Sequence, residues 1–468
     1  MLDRKPDTPL SSPMTDGLPP HRRRWAVAAI FTALAMASLD TAIANVALPA
    51  IAADLKVSPA DVVWVVNVYQ IALVATLLPL GGLGEIVGHQ RIYLAGLVLF
   101  TLASLGCALA WSLPSLLAAR VLQGLGASGL MSVNSALIRF VYPSRMFGRG
   151  LGHNAFVVST AFTFGPTIAS GILALGPWPW LFAINIPFGL VAIAIGVRTL
   201  PRLPRAGHAF DFLGAALAAI CLGLFILGIG SAAHKTSSGL VMAELFGAII
   251  VGLLVIRRQA DHPAPTLPID LFRRPMFALS AGTAVCAFAV QGLAFVSLPF
   301  YLEDILHRTQ VETGFFMTPW PLVVAVMAPV GGRLSDRHPA GLLGGLGLVL
   351  LAIGMSLLAM LPASPGILDI VWRMALCGLG FGFFQTPNLR AIMSSAPSGR
   401  SGGASGIVAT ARLTGQTTGA ALAALCFALA GHEGATVALA VGAGFAAIGS
   451  VMSFLRLTVP SSKPGPSS

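Results

Sequence analysis

Asp40 is a carboxylic acid inside an apolar run, about fifteen residues beyond Trp25, and at 1.5 Å per residue it lies roughly 22 Å along a helix. Such a group has two uses: it takes up and releases a proton, or it balances a cation. Desolvation penalises its charged form and a nearby cation favours that form, so proton and positively charged cargo would compete for one carboxylate. An ionised acid at a bilayer centre costs about 2.5 to 3.5 kcal/mol on insertion scales, which makes it a functional candidate by default. The competing reading is a structural ion pair with an arginine on a neighbouring helix. Arg120 has the matching depth, about seven residues or roughly 10 Å into its own apolar run. The two are expected to face one cavity, with Arg120 modulating proton release from Asp40. Arg373 lies at an equivalent depth later in the chain. Arg412 enters from the opposite side, where it would meet anionic groups or helix ends, and Glu244 reads as interfacial.

Polar and aromatic residues inside apolar runs are the other cavity candidates: Asn45, Trp64, Asn67, Tyr69, Gln70, Asn134, Trp320, Gln385 and Asn388. Each also fits a helix–helix hydrogen bond or an interfacial anchor. Gly165-Pro166 joins a residue without Cβ to one without a backbone N–H, a pairing that permits a kink and close helix approach. Packing alone would explain it equally. Two enzyme-like matches fail on context. Gly124-Leu125-Gly126-Ala127-Ser128-Gly129 fits a dinucleotide fingerprint but follows no strand. Gly399-Arg400-Ser401-Gly402-Gly403 fits a nucleophile elbow but lies in a polar joint. No Walker loop and no H-E-x-x-H is present, so the sequence calls for no catalytic residue, metal or cofactor, and an active process would draw on an ion gradient.

These residues are carried by a chain of 468 residues, 56% hydrophobic and 10% charged, with a mean hydropathy of +0.84. Soluble domains average about 25% charged residues, so the reading is an all-α polytopic membrane protein. Fourteen apolar blocks are separated by polar joints, from 25–48 to 434–456, with the seventh and eighth at 212–231 and 239–256. The first block is too long for a cleavable signal. The five Cys fall in apolar blocks without paired spacing and read as packing residues. With a cytoplasmic N-terminus, only Lys56, Lys235 and Arg308 among the 28 basic residues fall in external loops, and only Arg120, Arg373 and Arg412 within spans. The net charge of +11 is then a topology signal at the inner leaflet, and nucleic acid is not expected as a partner.

Shifted by about 250 residues, the chain resembles itself. Gly81-Gly82-Leu83-Gly84-Glu85 is echoed by Gly331-Gly332-Arg333-Leu334-Ser335-Asp336. Arg120 with Gly124 and Gly126 is echoed by Arg373 with Gly378 and Gly380, and Pro143-Ser144 with Arg145 by Pro397-Ser398 with Arg400. The organisation that follows is a tail at 1–24, a six-helix half at 25–198, two additional helices with their flanks at 199–275, a second six-helix half at 276–457 and a disordered tail at 458–468. Parallel halves of this kind are a transporter architecture, with the substrate between them near the midplane.

The residues resemble the major facilitator superfamily, and within it the fourteen-span drug-proton antiporters of the quaternary-ammonium resistance type, over nearly the whole chain. Leu39-Asp40-Thr41-Ala42-Ile43-Ala44-Asn45-Val46-Ala47-Leu48-Pro49 is similar to that family's first-span motif, and Arg120-Val121-Leu122-Gln123-Gly124-Leu125-Gly126 to its fourth-span motif. Gly165-Pro166 resembles the core of the fifth-span antiporter motif, and Trp180-Leu181-Phe182-Ala183-Ile184-Asn185-Ile186-Pro187-Phe188-Gly189 the sixth-span signature. The resemblance implies that Asp40 is the protonation or cation site and that Arg120 takes part in proton transfer. It implies gating or conformational roles for Gly81, Glu85, Gly88, Arg91, Gln123, Gly124, Gly165, Pro166, Arg333, Asp336 and Arg337. The loop after the second span departs from the pattern, with Glu85 for the usual Asp and with Ile86 and Gln90 where basic residues are common. The expectation is a monomeric, proton-coupled exporter of lipophilic, cationic small molecules in a bacterial inner membrane, with both termini cytoplasmic. Export of one specific metabolite or antibiotic, or solute uptake, fits the same scaffold. A membrane-embedded enzyme or sensor does not.

Overall fold

The computed structural model describes residues 16–201, 212–233, 238–260, 269–335, 337–362, 364–395 and 401–459, and among them every regular element is helical. In lipid this is the requirement that each backbone polar group be satisfied within its own segment. The first half comprises α1 (Pro20–Leu55), α2 (Pro59–Val62), α3 (Trp64–Val87), α4 (His89–Ala108), α5 (Leu113–Val141), α6 (Phe147–Leu175), α7 (Trp180–Ala183) and α8 (Asn185–Thr199). Then come α9 (Phe212–Ala233) and α10 (Ser238–Ala260). The second half comprises α11 (Pro275–Phe300), α12 (Gln310–Met317), α13 (Pro319–Leu334), α14 (Ala340–Ala359), α15 (Ile367–Ser395), α16 (Ser401–Ala430) and α17 (Gly434–Leu455).

Local chemistry sets the helix ends. Ser112 with Ser115, and Thr309 with Glu312, form capping boxes that satisfy the first free N–H groups of α5 and α12. Two expected spans are interrupted. Pro187 has no N–H for the carbonyl of Ala183, and α7 gives way to α8 at Ile184. Pro321 likewise deprives Met317, and α12 gives way to α13 at Thr318. Internal prolines recur at a spacing of 250: Pro49 in α1 with Pro299 in α11, and Pro79 in α3 with Pro329 in α13.

The same period governs packing. In the first half α3 and α4 pack on α5, α1 packs on α6 and α8, and α4 on α8. In the second, α13 and α14 pack on α15, α11 on α16 and α17, and α14 on α17. Across the divide α6 meets α12 and α13, while α16 meets α2 and α3, the exchange that a two-fold relation between halves produces. α9 and α10 pack on each other, and α9 also touches α3 and α16. α10 exposes Leu240, Met242, Phe246, Ile249 and Leu253, an apolar face suited to lipid.

Twelve stretches of the described residues are long and apolar enough to cross a membrane, where fourteen blocks were expected. One of the twelve, Ile407–Leu455, runs through both α16 and α17, which only Gly431–Glu433 separates, and the apolar helix Ala216–Ile229 within α9 is shorter than the rest.

The buried apolar residues divide unequally between the two ends. Where α1 ends and α11 ends, one core joins both halves, from Ile43–Ile51 through Leu293–Leu302 to Ala420–Phe427. Where α1 begins and α17 ends, the apolar core is divided, one part around Ile30, Tyr93 and Leu137, which takes in Leu413 of α16, the other around Phe277 and Ile392. Polar contacts reinforce the joined end. Ser170 donates to the Gln310 carbonyl at 2.8 Å, Thr167 and Thr318 hydroxyls lie 2.7 Å apart, and Thr163 donates to the Pro321 carbonyl at 3.3 Å. At Gly314 a Cβ would come within 2.6 Å of the Pro166 carbonyl, so only glycine lets α6 and α12 approach this closely.

Candidate functional site

Asp40 on α1 and Arg120 on α5 meet inside the first half. Arg120 Nη1 donates to Asp40 Oδ2 at 2.5 Å, and both side chains are almost wholly withdrawn from the surface. The other carboxylate oxygen accepts from Gln123 Nε2 at 2.9 Å and from Asn185 Nδ2 at 3.1 Å. Gln123 is three residues from Arg120, hence on the same face of α5, and its Oε1 accepts from Arg120 Nη1 at 2.6 Å. Its amide also donates to Ser104 on α4, whose hydroxyl is bound to the Phe100 carbonyl.

The surrounding backbone makes this possible. A Cβ at Gly124 would run into the Tyr69 carbonyl and lie 2.9 Å from Ala72 Cβ, so α5 reaches α3 only through glycine. That approach brings the Val65 carbonyl to 2.9 Å from Arg120 Nε and sets the guanidinium 4.1 Å from the centre of the Tyr69 ring. Asn185 stands at the start of α8, one residue past the interruption at Ile184. Three side-chain donors thus converge on one carboxylate. Proton uptake by Asp40 would abolish the ion pair and leave Arg120 to Gln123, Val65 and the Tyr69 face. The cluster's members lie on α1, α3, α4, α5 and α8.

A separate cavity lies between the halves. One part is lined by Thr41, Asn45, Gln70, Phe162, Gln291 and Gln416 among others, and the adjoining part by Phe288, Trp320, Phe381, Gln385 and Arg412 together with Phe162, Gln291 and Gln416. Asp40 and Arg120 were expected to face one cavity. They face each other, and neither lines this one, because Gln123 and Asn185 hold the carboxylate within the first half.

The remaining candidates separate into three groups. Asn45, Gln70, Trp320 and Gln385 line the cavity, and Asn45 Oδ1, Gln70 Oε1 and Trp320 Nε1 are buried without a hydrogen-bond partner among the described residues. Tyr69 belongs to the ion-pair cluster. Trp64, Asn67, Asn134 and Asn388 do not line the cavity. Asn134 donates to Asn154 at 2.6 Å, and Asn388 bridges the Ser280 carbonyl and Arg456 at 3.1 and 2.7 Å. Gly165 packs on Ala42 of α1, where a Cβ would stand 2.5 Å from that of Ala42, and the next residue, Pro166, faces Gly314. α6 is thus gripped from both sides at this dipeptide. Gly81 lies against Ser132, and Gly88 adopts φ 115° at the turn into α4. Glu85, Arg91, Arg333 and Arg337 are exposed around the turns that follow α3 and α13. Asp336 lies outside the described residues. Sequence reasoning did not single out Asn185, Ser104, Gln291 or Gln416 as site residues, although the test that selected Gln70, an amide inside an apolar run, applies equally to both glutamines.

Residues 30–420 match the family described as Major Facilitator Superfamily. The chain is 50% identical over 452 residues to the uncharacterized transporter YebQ of Escherichia coli, covering 96% of this chain and 98% of that one. It is 31% identical over 395 residues to the riboflavin transporter RibZ of Clostridioides difficile, covering 84% and 85%. To the tetracenomycin C resistance and export protein of Streptomyces glaucescens it is 30% identical over 409 residues, covering 86% and 75%.

Proposed function

The chain belongs to the Major Facilitator Superfamily, so it is a membrane transporter of small molecules and not an enzyme, and from that premise we propose that it exports lipophilic organic compounds in exchange for protons. The observation that carries the proposal is the buried Asp40–Arg120 pair with Gln123 and Asn185 on the same carboxylate. A proton taken up there would remove the negative charge that Arg120 faces. Because the helices involved include α1, which also packs on α6 and α11, such a change at Asp40 would reach the contacts between the halves.

In this reading the chain crosses the membrane fourteen times, α9 and α10 being the two added crossings, and functions as a monomer in a bacterial inner membrane with both termini cytoplasmic. The joined core then lies outside and the structure is open inward, with the cavity exposed to the compartment from which cargo is collected. Export agrees with the name of the tetracenomycin C resistance and export protein, and resistance proteins recur among the relatives. Transport of one particular solute is the second reading, favoured by the relative named for riboflavin. The sequence-based expectation of cationic cargo rested on Asp40, which the cavity does not contain.

The test is Asp40→Asn in purified proteoliposomes with an imposed pH gradient. Uphill movement of any accepted compound should fall to background while downhill exchange between equal pH values persists, because the amide keeps the size of the side chain and one of its two acceptor oxygens and removes the titratable proton. Undiminished uphill pumping by the variant would sink the coupling role, and a panel of dyes and antibiotics against single solutes separates the two readings of cargo.

A further inference from the structure

Arg412 has no part in the proton step. It lies on α16 beside Gln416 in the cavity between the halves, with its guanidinium carbon 5.3 Å from the centre of the Phe162 ring. Among the described residues that line either part of the cavity it is the one charged side chain, and no carboxylate pairs with it. A cation held within a membrane span without a counter-ion is expensive and marks a substrate path. The lining also holds buried polar atoms with no hydrogen-bond partner among the described residues: Trp320 Nε1, a donor, and Gln416 Oε1, an acceptor. Apolar surface comes from Phe288, set edge-on to Phe381 at 5.4 Å, and from Trp320, set edge-on to Phe295 at 5.6 Å. The site therefore offers a planar fork suited to two oxygens, a free indole N–H and aromatic walls. It offers a cation no opposite charge.

We propose that the cavity takes an organic monoanion with an aromatic body, an aryl carboxylate or sulfonate, whose acid group pairs with Arg412 while its rings lie against Phe162, Phe288 and Trp320. This deepens the export reading and rests on it for direction. The electrical consequence is favourable. When a monoanion leaves and a proton enters, both movements run down an inside-negative potential, whereas a monocation exchanged for one proton moves no net charge.

The experiment is equilibrium binding to the purified full chain in detergent with three probes: naphthalene-2-sulfonate, the neutral naphthalene-2-sulfonamide and ethidium. The wild-type protein should bind the sulfonate at least tenfold more tightly than the sulfonamide and more tightly than ethidium. Arg412→Gln should erase that preference while holding sulfonamide affinity within twofold, which also shows that the variant is folded, and Arg412→Lys should retain part of it. Sulfonate affinity unchanged in Arg412→Gln, a wild-type preference for ethidium, or no sulfonate binding at all would overturn the proposal. Gradient-driven uptake into proteoliposomes separates the two levels. Arg412-dependent sulfonate binding without uphill movement of any probe removes the export reading and leaves the anion site. Uphill ethidium movement that ignores Arg412 removes the anion site and leaves export.

Discussion

The two halves share a helix packing and differ in what fills it. Gly124 sits against the Tyr69 carbonyl in the first half and Gly378 against the Trp320 carbonyl in the second, and Gly126 and Gly380 make matching backbone contacts with α4 and α14. Within that common frame, the first half encloses Asp40, Arg120, Gln123 and Asn185, whereas the second encloses Phe288, Phe295, Trp320 and Phe381. Arg373, the counterpart of Arg120, has moved out of the core; it pairs with Asp369 at 3.0 Å in the first turns of α15 and donates to the Leu357 carbonyl. The lesson is a division of labour on a duplicated scaffold. One half keeps a charge that a proton can discharge, and the other gives most of the walls that cargo would touch.

The largest effect that would test this division is Arg120→Leu. Removing one member of a buried pair costs about 3–5 kcal/mol because the other charge is stranded, so the thermal midpoint and yield should fall sharply, and adding Asp40→Asn should restore much of the loss. A variant as stable as the parent would mean that Asp40 is already protonated in the resting protein. Next come Gly124→Val and Gly378→Val. Each forces a side chain into a carbonyl across a helix contact, and overpacking of this kind costs about 1–3 kcal/mol. Equal losses in paired unfolding curves would sharpen the symmetry, and a loss confined to position 124 would show that the glycine matters for the ion pair and not for the frame. Smallest is Arg373→Gln: a partly exposed ion pair is worth about 0–1 kcal/mol, and transport rates should stay within about twofold of the parent. A large fall there would restore the second half to a share in coupling.

The frame was readable in the sequence because membrane spans announce themselves by length and apolarity, and because the 250-residue repeat placed Arg120 against Arg373 and Gly124 against Gly378. The meeting of Asp40 with Arg120 followed from depth alone. Depth does not give azimuth, however, so the sequence could not say that the pair turns away from the cavity. That depends on Gln123 and Asn185, which meet Asp40 from two other helices, α5 and α8. Arg412 was legible as a cation entering from the other end, and its partner ring, Phe162, was not, since an aromatic residue in an apolar run carries no mark of what it faces. Arg373 shares the depth of Arg120 but not its partner, since Asp369, four residues earlier on the same helix, pairs with it.

The joined end of the molecule is closed by an apolar core, hydroxyl groups, carbonyls and one glycine, and among the described residues no ion pair crosses it. Dissolved salt weakens attraction between opposite charges and has little hold on contacts of this neutral kind. If this end is the outer gate of the proposed exporter, a change of ionic strength should leave its opening threshold nearly unmoved, whereas a gate latched by charged pairs would need retuning.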